Sequence, residues 1–364
     1  GVCAGAAPVL ALPQAMSGAA RREEEPGRPG GRVTLRDVAR EAGVSIKTVS
    51  RVVNGEREVN PETAARVSEV LSRLRYRPNE LARSLKGRRS RTIGLMIADI
   101  SNPFYSGCAK AVEEVARERG YAVILCASAE DARTEREYVD LLVQRRVEGL
   151  LLVPAADGHE YLRQEQTAGL AVVALDRPIA GLPTDAVIVQ NRAGTRRAVQ
   201  HLIEHGHRRI AFVGAGKGLY TTRKRLEGYR EALREAGLEE LVRLEAPDAS
   251  SAAGRMRELL ALNTPPTAVF AANNLITLGV LQALERAGAR VPEDVALVGF
   301  DDFALAAVLR PRLTLVRQPA DELGRRAARL LIDRLENKLP PTPRRIVLPT
   351  ELIIRESCGC QPNP

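Results

Sequence analysis

The side chains best placed to do chemistry are polar residues that end apolar runs. Asp176 follows LAVVAL, Asn273 follows TAVFAA and Asp301 follows VALVGF. Two carboxylates and an amide suit a ligand rich in hydroxyls, because each buried hydroxyl needs both donor and acceptor partners. Catalytic readings fail on detail. The run GAGKG from Gly214 to Gly218 resembles a phosphate cradle, but G-x-x-x-x-G-K-[ST] is absent and Leu219 stands where G-x-G-x-x-G needs its third glycine. No G-x-S-x-G elbow occurs. Of the four histidines, His159, His201, His205 and His207, three lie on or just after the exposed end of one helical segment. No enzyme is expected. The cysteines at 3, 108, 126, 358 and 360 make no disulfide framework and fit a reducing compartment, so a cytoplasmic location is expected. Cys358 and Cys360 stand two apart, but no second cysteine or histidine pair has finger-like spacing, so neither a metal site nor a cofactor is expected.

Charge points to a second kind of chemistry. Residues 32–91 carry 15 Lys or Arg against 7 Asp or Glu, a net +8 out of +9 for the whole chain. A basic module on a nearly neutral body is the electrostatic pattern of nucleic-acid binding, since Lys and Arg supply sequence-independent affinity for phosphate. A merely solvated surface more often mixes both signs evenly. No window offers the run of about 20 uncharged apolar residues that a membrane helix needs, so no membrane partner is expected.

Residues 1–31, opening in Ala, Pro and Gly and containing RREEEPGRPGG, read as a disordered leader, with Met16 a plausible start of translation. The apolar stretch from Val2 to Leu12 is broken by Pro8 and lacks a basic flank, so it is not expected to be a secretory signal. From Val33 the period becomes about 3.6. Thr34 and Asp37 form a capping-box pattern before the face Leu35, Val38, Ala39 and Ala42, and Gly43 ends the helix. Ser45 caps a second helix with Val49, Val52 and Val53 inside and Ile46, Lys47, Ser50, Arg51 and Asn54 outside. A third helix starts at Asn60-Pro61, buries Val67, Val70, Leu71 and Leu74, and stops before Pro78. Two short helices joined by a Gly-containing turn spell helix-turn-helix. From Thr92 short apolar strands alternate with amphipathic helices in two series, which means two parallel sheets covered by helices. Ligands in such α/β folds sit beyond the carboxyl ends of the strands, here in a cleft between the halves.

The run VTLRDVAREAGVSIKTVSRVVNG followed by YRPNELARSLKGRRSRTIGL resembles the N-terminal region of the LacI/GalR family of bacterial transcription regulators. The likeness extends over essentially residues 32–357. It implies an all-α helix-turn-helix domain (32–78), a hinge helix and linker (79–91), and a periplasmic-binding-protein-like core of two doubly wound parallel-sheet subdomains (92–357) that binds effector and dimerises, with a tail at 358–364. In such proteins the second helix enters the major groove. The resemblance makes Ile46, Lys47 and Arg51 base readers and Thr34, Ser45, Thr48, Ser50 and Asn54 mainly backbone contacts. Lys and Arg suit guanine O6 and N7, and Ile46 suits a thymine methyl.

NELARSLKG (79–87) is too short for a stable isolated helix. The resemblance implies that it folds in the minor groove, with Asn79 and Ala82 at the DNA and Leu85 wedged into the central base step.

Family motifs add Phe104, Tyr105, Arg225 and Gln318 to Asp176, Asn273 and Asp301 as effector residues. Three departures matter. Ala249 stands where an aromatic platform is common, Asn274 where an Asp is usual, and Leu219 where purine-responsive members carry Arg. Without any Trp, an aromatic wall must come from Phe104, Tyr105, Tyr220 or Phe303. The expected function is a sequence-specific DNA-binding regulator, of repressor type, controlled by a small polar effector resembling a sugar. A homodimer on double-stranded, pseudo-palindromic operator DNA is expected, because one short helix reads too few base pairs and the family pairs its halves. No terminal leucine heptads suggest a tetramer. A free solute-binding protein would share the body's fold, but not the basic module.

Overall fold

The computed structural model describes residues 33–54, 56, 58–76 and 90–360, which form two compact units divided between Arg83 and Ser84. Asn79, Ala82 and Leu85, with residues 1–31, lie outside the described residues.

In the first unit the local signals act as read. Helix α1 (Leu35–Ala42) starts where Thr34 N–H donates to the Asp37 carboxylate at 2.9 Å and Asp37 N–H donates back to Thr34 Oγ1 at 3.4 Å. Gly43 ends it at φ 64°, a conformation that costs glycine little. Helix α2 (Ile46–Val53) starts with Thr48 N–H on Ser45 Oγ at 3.1 Å. In α3 (Pro61–Arg73) the Asn60 carboxamide caps Glu62 N–H at 2.9 Å, and Pro61 fills a first-turn position that needs no donor. Val38, Ala39, Ala42, Val49, Val67 and Val70 make the core, with Val52, Val53, Leu71 and Leu74 packed around it. A fully buried valine contributes about 1.5–3 kcal/mol, so a core this small is one whose individual valines matter.

The second unit holds two six-stranded sheets. The first contains β1 (Thr92–Ile97), β2 (Ala122–Ala127), β3 (Gly149–Leu152), β4 (Ala171–Leu175), β5 (Asp185–Val189) and β11 (Arg345–Leu348), in the order β11-β5-β4-β3-β1-β2. All its pairings are parallel. The second contains β6 (Ile210–Val213), β7 (Leu241–Arg243), β8 (Ala268–Ala271), β9 (Ala296–Phe300), β10 (Thr314–Arg317) and β12 (Glu351–Ile353), in the order β12-β10-β9-β8-β6-β7. Here the edge strand β12 runs antiparallel to β10, a departure from the all-parallel expectation.

Helices α4 (Pro103–Glu118), α5 (Ala132–Gln144) and α6 (Tyr161–Thr167) belong to the first half. Helices α7 (Asn191–Glu204), α8 (Tyr220–Glu235), α9 (Ala249–Leu260) and α10 (Asn274–Arg286) belong to the second. The chain crosses after β5, returns after β10 into α11 (Ala320–Leu335), which packs on α4, and crosses again between β11 and β12. Glycines let three helix pairs approach closely. A methyl on Gly228 would lie 2.2 Å from Arg192 O (α8 on α7), on Gly279 2.2 Å from Ala249 O (α10 on α9), and on Gly324 2.4 Å from Cys108 O (α11 on α4). Apolar residues fill both faces of the first sheet, and Phe212, Phe270, Phe300 and Tyr229 fill the core of the second half. That core includes Cys358, so the chain is still packed where a tail is expected to begin.

Candidate functional site

In the first unit α2 presents an exposed face. Ile46 is 45% exposed, a position at which a large apolar residue gains nothing for folding, and Lys47 beside it is exposed too. Thr34 and Ser45 hold caps, and Thr48 Oγ1 lies 2.9 Å from Ser45 Oγ. Ser50 Oγ accepts from Asn54 Nδ2 at 3.3 Å, which fixes the last turn. Arg51 ion-pairs with Glu58 at 3.3 Å and Glu56 at 3.7 Å. Exposed pairs of this kind are worth only about 0–1 kcal/mol, so a nucleic-acid acceptor can take the guanidinium at small cost.

In the second unit a cleft of 540 Å³ opens between the carboxyl ends of the two sheets. The structure brings Phe104, Tyr105, Asp176, Arg225, Asn273, Asp301 and Gln318 to this one cavity. Asp176 and Asp301 occupy matching places in the two halves, one residue past β4 and β9. Each adopts a left-handed backbone, φ 65° and 73°, and donates its N–H to the neighbouring strand, to Val187 O and Val316 O, both at 2.9 Å. Asp tolerates this region better than most residues do. The turn thereby carries each carboxylate out of its sheet and into the cleft.

Around Asp301 the polar groups interlock. Gln318 Nε2 donates to its Oδ1, and Arg225 Nη1 lies 3.7 Å from its Oδ2. Arg225 also donates to Asn191 Oδ1 at 2.8 Å and Ala272 O at 2.5 Å, and its guanidinium sits 3.8 Å above the Phe300 ring. Such a cation over an aromatic face is attracted by the ring quadrupole. Asn191, at the start of α7, is a partner the sequence reading missed.

Around Asp176 the missed residue is Arg177, its chain neighbour. Arg177 is 4% exposed and grips Glu130 with both terminal nitrogens at 2.5–2.6 Å, while donating to Pro154 O and to the Tyr105 hydroxyl. Tyr105 OH in turn donates to Asp176 Oδ2 at 3.4 Å. Burial holds the Tyr105 phenol well above its ordinary range, so it remains a neutral donor. Burial also pushes the Asp176 carboxyl up to about 6, against the opposing pull of Arg177 and Arg225. Asp176 Oδ1 and Gln318 Oε1 are buried with no hydrogen-bond partner among the described residues.

Asn273 caps α10, accepting from Ile276 N–H at 2.8 Å, and so lines the cleft partly in a structural role. Asn274 pairs reciprocally with Asn102, cap of α4, at 2.9 and 3.2 Å, joining the two halves at the cleft. A carboxylate at 274 could accept in this pair but not donate, so the amide at that place is what lets both bonds form. Of the four aromatic candidates, Phe104 and Tyr105 line the cleft. Tyr220 instead accepts from Arg345 at 3.1 Å, and Phe303 packs on the core of the second half. Outside the cleft, His201, His205 and Cys360 come together, a juxtaposition that the absence of finger-like spacing did not reveal. No described helix is long and apolar enough to cross a membrane.

Comparison with known proteins matches residues 34–79 to the family "Bacterial regulatory proteins, lacI family" and residues 199–358 to a "Periplasmic binding protein-like domain". The ribose operon repressor of Halalkalibacterium halodurans is 38% identical over 325 residues, 89% of this chain and 96% of the relative. The regulator CelR of Thermobifida fusca is 39% identical over 337 residues, 90% of this chain and 98% of the relative. Among solved structures, a lac repressor dimer bound to operator and the anti-inducer ONPF superposes with a TM-score of 0.80 at 28% identity, covering 91% of this chain and all of that one. A CelR–cellobiose complex gives 0.68 at 37% identity, covering 90% of this chain and all of that one. With the helix-turn-helix unit and the two-lobed, cleft-bearing core both matched, this chain belongs to the lacI family of bacterial regulatory proteins.

Proposed function

We propose that the protein is a homodimeric repressor whose affinity for a pseudo-palindromic operator is set by a sugar-like effector in the cleft of the core. In this reading residues 32–78 are the DNA reader, 79–91 the hinge, and residues from 92 onward the effector-binding and dimerisation core. Ile46, Lys47 and Arg51 read base edges. Thr34, Ser45, Thr48, Ser50 and Asn54 contact the backbone, and Asn79, Ala82 and Leu85 engage the minor groove.

The observation that carries the effector reading is the pair of buried, unpartnered acceptors, Asp176 Oδ1 and Gln318 Oε1, in a cavity that also holds Arg225, Asn273 and Asp301. An unpartnered buried acceptor costs about 1–3 kcal/mol, and a ligand hydroxyl removes that cost. Phe104 and Tyr105 supply the apolar surface that a sugar ring needs. Relatives named for ribose, and a relative solved with cellobiose, support the same class of ligand.

A calorimetric screen of D-ribose, cellobiose and other mono- and disaccharides tests this reading. At least one sugar is expected to bind, and Asp301→Asn to lose that binding while retaining operator affinity. Unchanged binding in Asp301→Asn, or no binding by any polyhydroxylated compound, would refute the effector assignment.

A further inference from the structure

We propose that His201, His205 and Cys360 form a binding site for a thiophilic divalent cation of the zinc class, with solvent in the fourth position. His201 and His205 are four residues apart, the last turn and the cap of α7, so both rings fall on one face, their centroids 4.4 Å apart. Cys360 arrives from 159 residues away and sets its Sγ 3.2 Å from His201 Nε2. One donor atom from each of the three side chains lies within 4.8 Å of the others. Zn²⁺ bound at its usual distances to nitrogen and sulfur needs donor atoms about 3.3–3.6 Å apart. Closing to that spacing requires the exposed His205 ring to turn on binding.

A thiol hydrogen-bonded to an imidazole accounts for Cys360 and His201 alone. It does not account for the way His205 is held. Nδ1 of His205 lies 2.7 Å from the carbonyl oxygen of His201. A carbonyl only accepts, so that nitrogen carries the proton and Nε2 keeps its lone pair. This is the tautomer and outer hydrogen bond by which metal-ligating histidines are oriented. The mixed nitrogen and sulfur donor set suits zinc rather than calcium or magnesium.

The segment presenting Cys360 is built rather than frayed. Ser357 N–H donates to Arg312 O at 2.9 Å, its hydroxyl to Leu297 O at 2.6 Å, and Leu297 N–H to Ser357 O at 2.7 Å. Cys358 is buried and accepts from Thr314 Oγ1 at 3.2 Å, and its sulfur also lies against His201 and Cys360. Gly359, at φ 82°, then turns the chain so that Cys360 faces the histidines. A cation here would join the end of α7 to the segment bonded to β9. The other ends of those two elements carry Asn191, which accepts from Arg225 of the cleft, and Asp301, which lines it.

The test is titration of the full chain, purified with reductant and freed of chelator, with Co²⁺ followed by Zn²⁺. One Co²⁺ per chain is expected, with a thiolate-to-cobalt charge-transfer band and tetrahedral visible bands that Zn²⁺ abolishes. His205→Ala, an exposed position, should keep the circular dichroism spectrum and weaken binding at least ~10-fold, a loss at the lower end of that seen when even an outer hydrogen bond to a metal ligand is removed. Cys360→Ser should eliminate the charge-transfer band. Octahedral cobalt without a thiolate band, or wild-type affinity in both variants, would overturn the site.

Discussion

The carboxyl of Asp176 makes the stability of the effector-binding core depend on pH in an unusual direction. Most native carboxylates are stabilised in their ionised form, and acid then destabilises the fold. Asp176 is 2% exposed, and burial pushes its pKa from an ordinary 3.8 up to about 6 although Arg177 and Arg225 pull the other way. Between those two values the folded chain holds a proton that the unfolded chain has released, so this residue's contribution falls as pH rises. The penalty is absent below pH 3.8 and fully present above about 6. Its size is about 3 kcal/mol, at about 1.4 kcal/mol per pH unit across the gap. Asp176→Asn removes the ionisation while retaining shape, although the Arg177 Nε contact at 3.5 Å loses its charge. Arg177 keeps its two bonds to Glu130, so that loss is the smaller effect. Urea unfolding of both proteins without ligand at pH 5 and pH 7.5 isolates the residue from all other titrations. The variant should gain on the wild type at pH 7.5, and the gap should narrow or reverse at pH 5. A difference independent of pH would mean that Asp176 is not the buried, protonated group it is taken to be.

Other substitutions probe the remaining parts. Arg225→Ala strands Asp301, Asn191 and the Ala272 carbonyl together, and should lower unfolding free energy by about 3–5 kcal/mol, read by denaturant titration. A loss below 1 kcal/mol would mean that the buried pair is not structural. Lys47→Ala should relax specificity at one base pair per half-site, by about 1–3 kcal/mol in competition gel shifts. Uniform losses over all sequences would mean that Lys47 only touches phosphate. Leu85→Ala should weaken specific operator binding far more than nonspecific binding, because a wedge is used only on a bent, correctly spaced site. Equal weakening in a salt-controlled binding assay would remove it from that role.

Local chemistry was the most legible part of the sequence. Thr34 with Asp37, Ser45 and Asn60-Pro61 declare their helices within four residues, and the structure starts helices there. Apolar runs such as TIGLMIA and VALVGF read as buried strands for the same reason. The route of the chain was not legible. Sheet membership of β11 and β12 depends on strands well back along the chain, β5 and β10, and their short runs carry no mark of the sheet they join. Strand ends revealed Asp176 and Asp301 because a charge that closes an apolar strand has few bland explanations. Arg177 was overlooked although it stands beside Asp176, since its partner Glu130 is 47 residues away. An Arg directly after a strand-end Asp was the available signal. His201 and His205 show helical spacing in the sequence, but nothing local announces that Cys360 closes on them.

A sequence-specific regulator of this kind must read DNA with its basic N-terminal unit under the control of the cleft. Nuclease footprinting of the full chain on genomic fragments, with and without the sugar found by calorimetry, tests it most directly. A protected inverted repeat whose occupancy changes when the sugar is added is expected, with no such change in Asp301→Asn. Uniformly weak protection with no inverted repeat, or a footprint indifferent to the bound sugar, would contradict it.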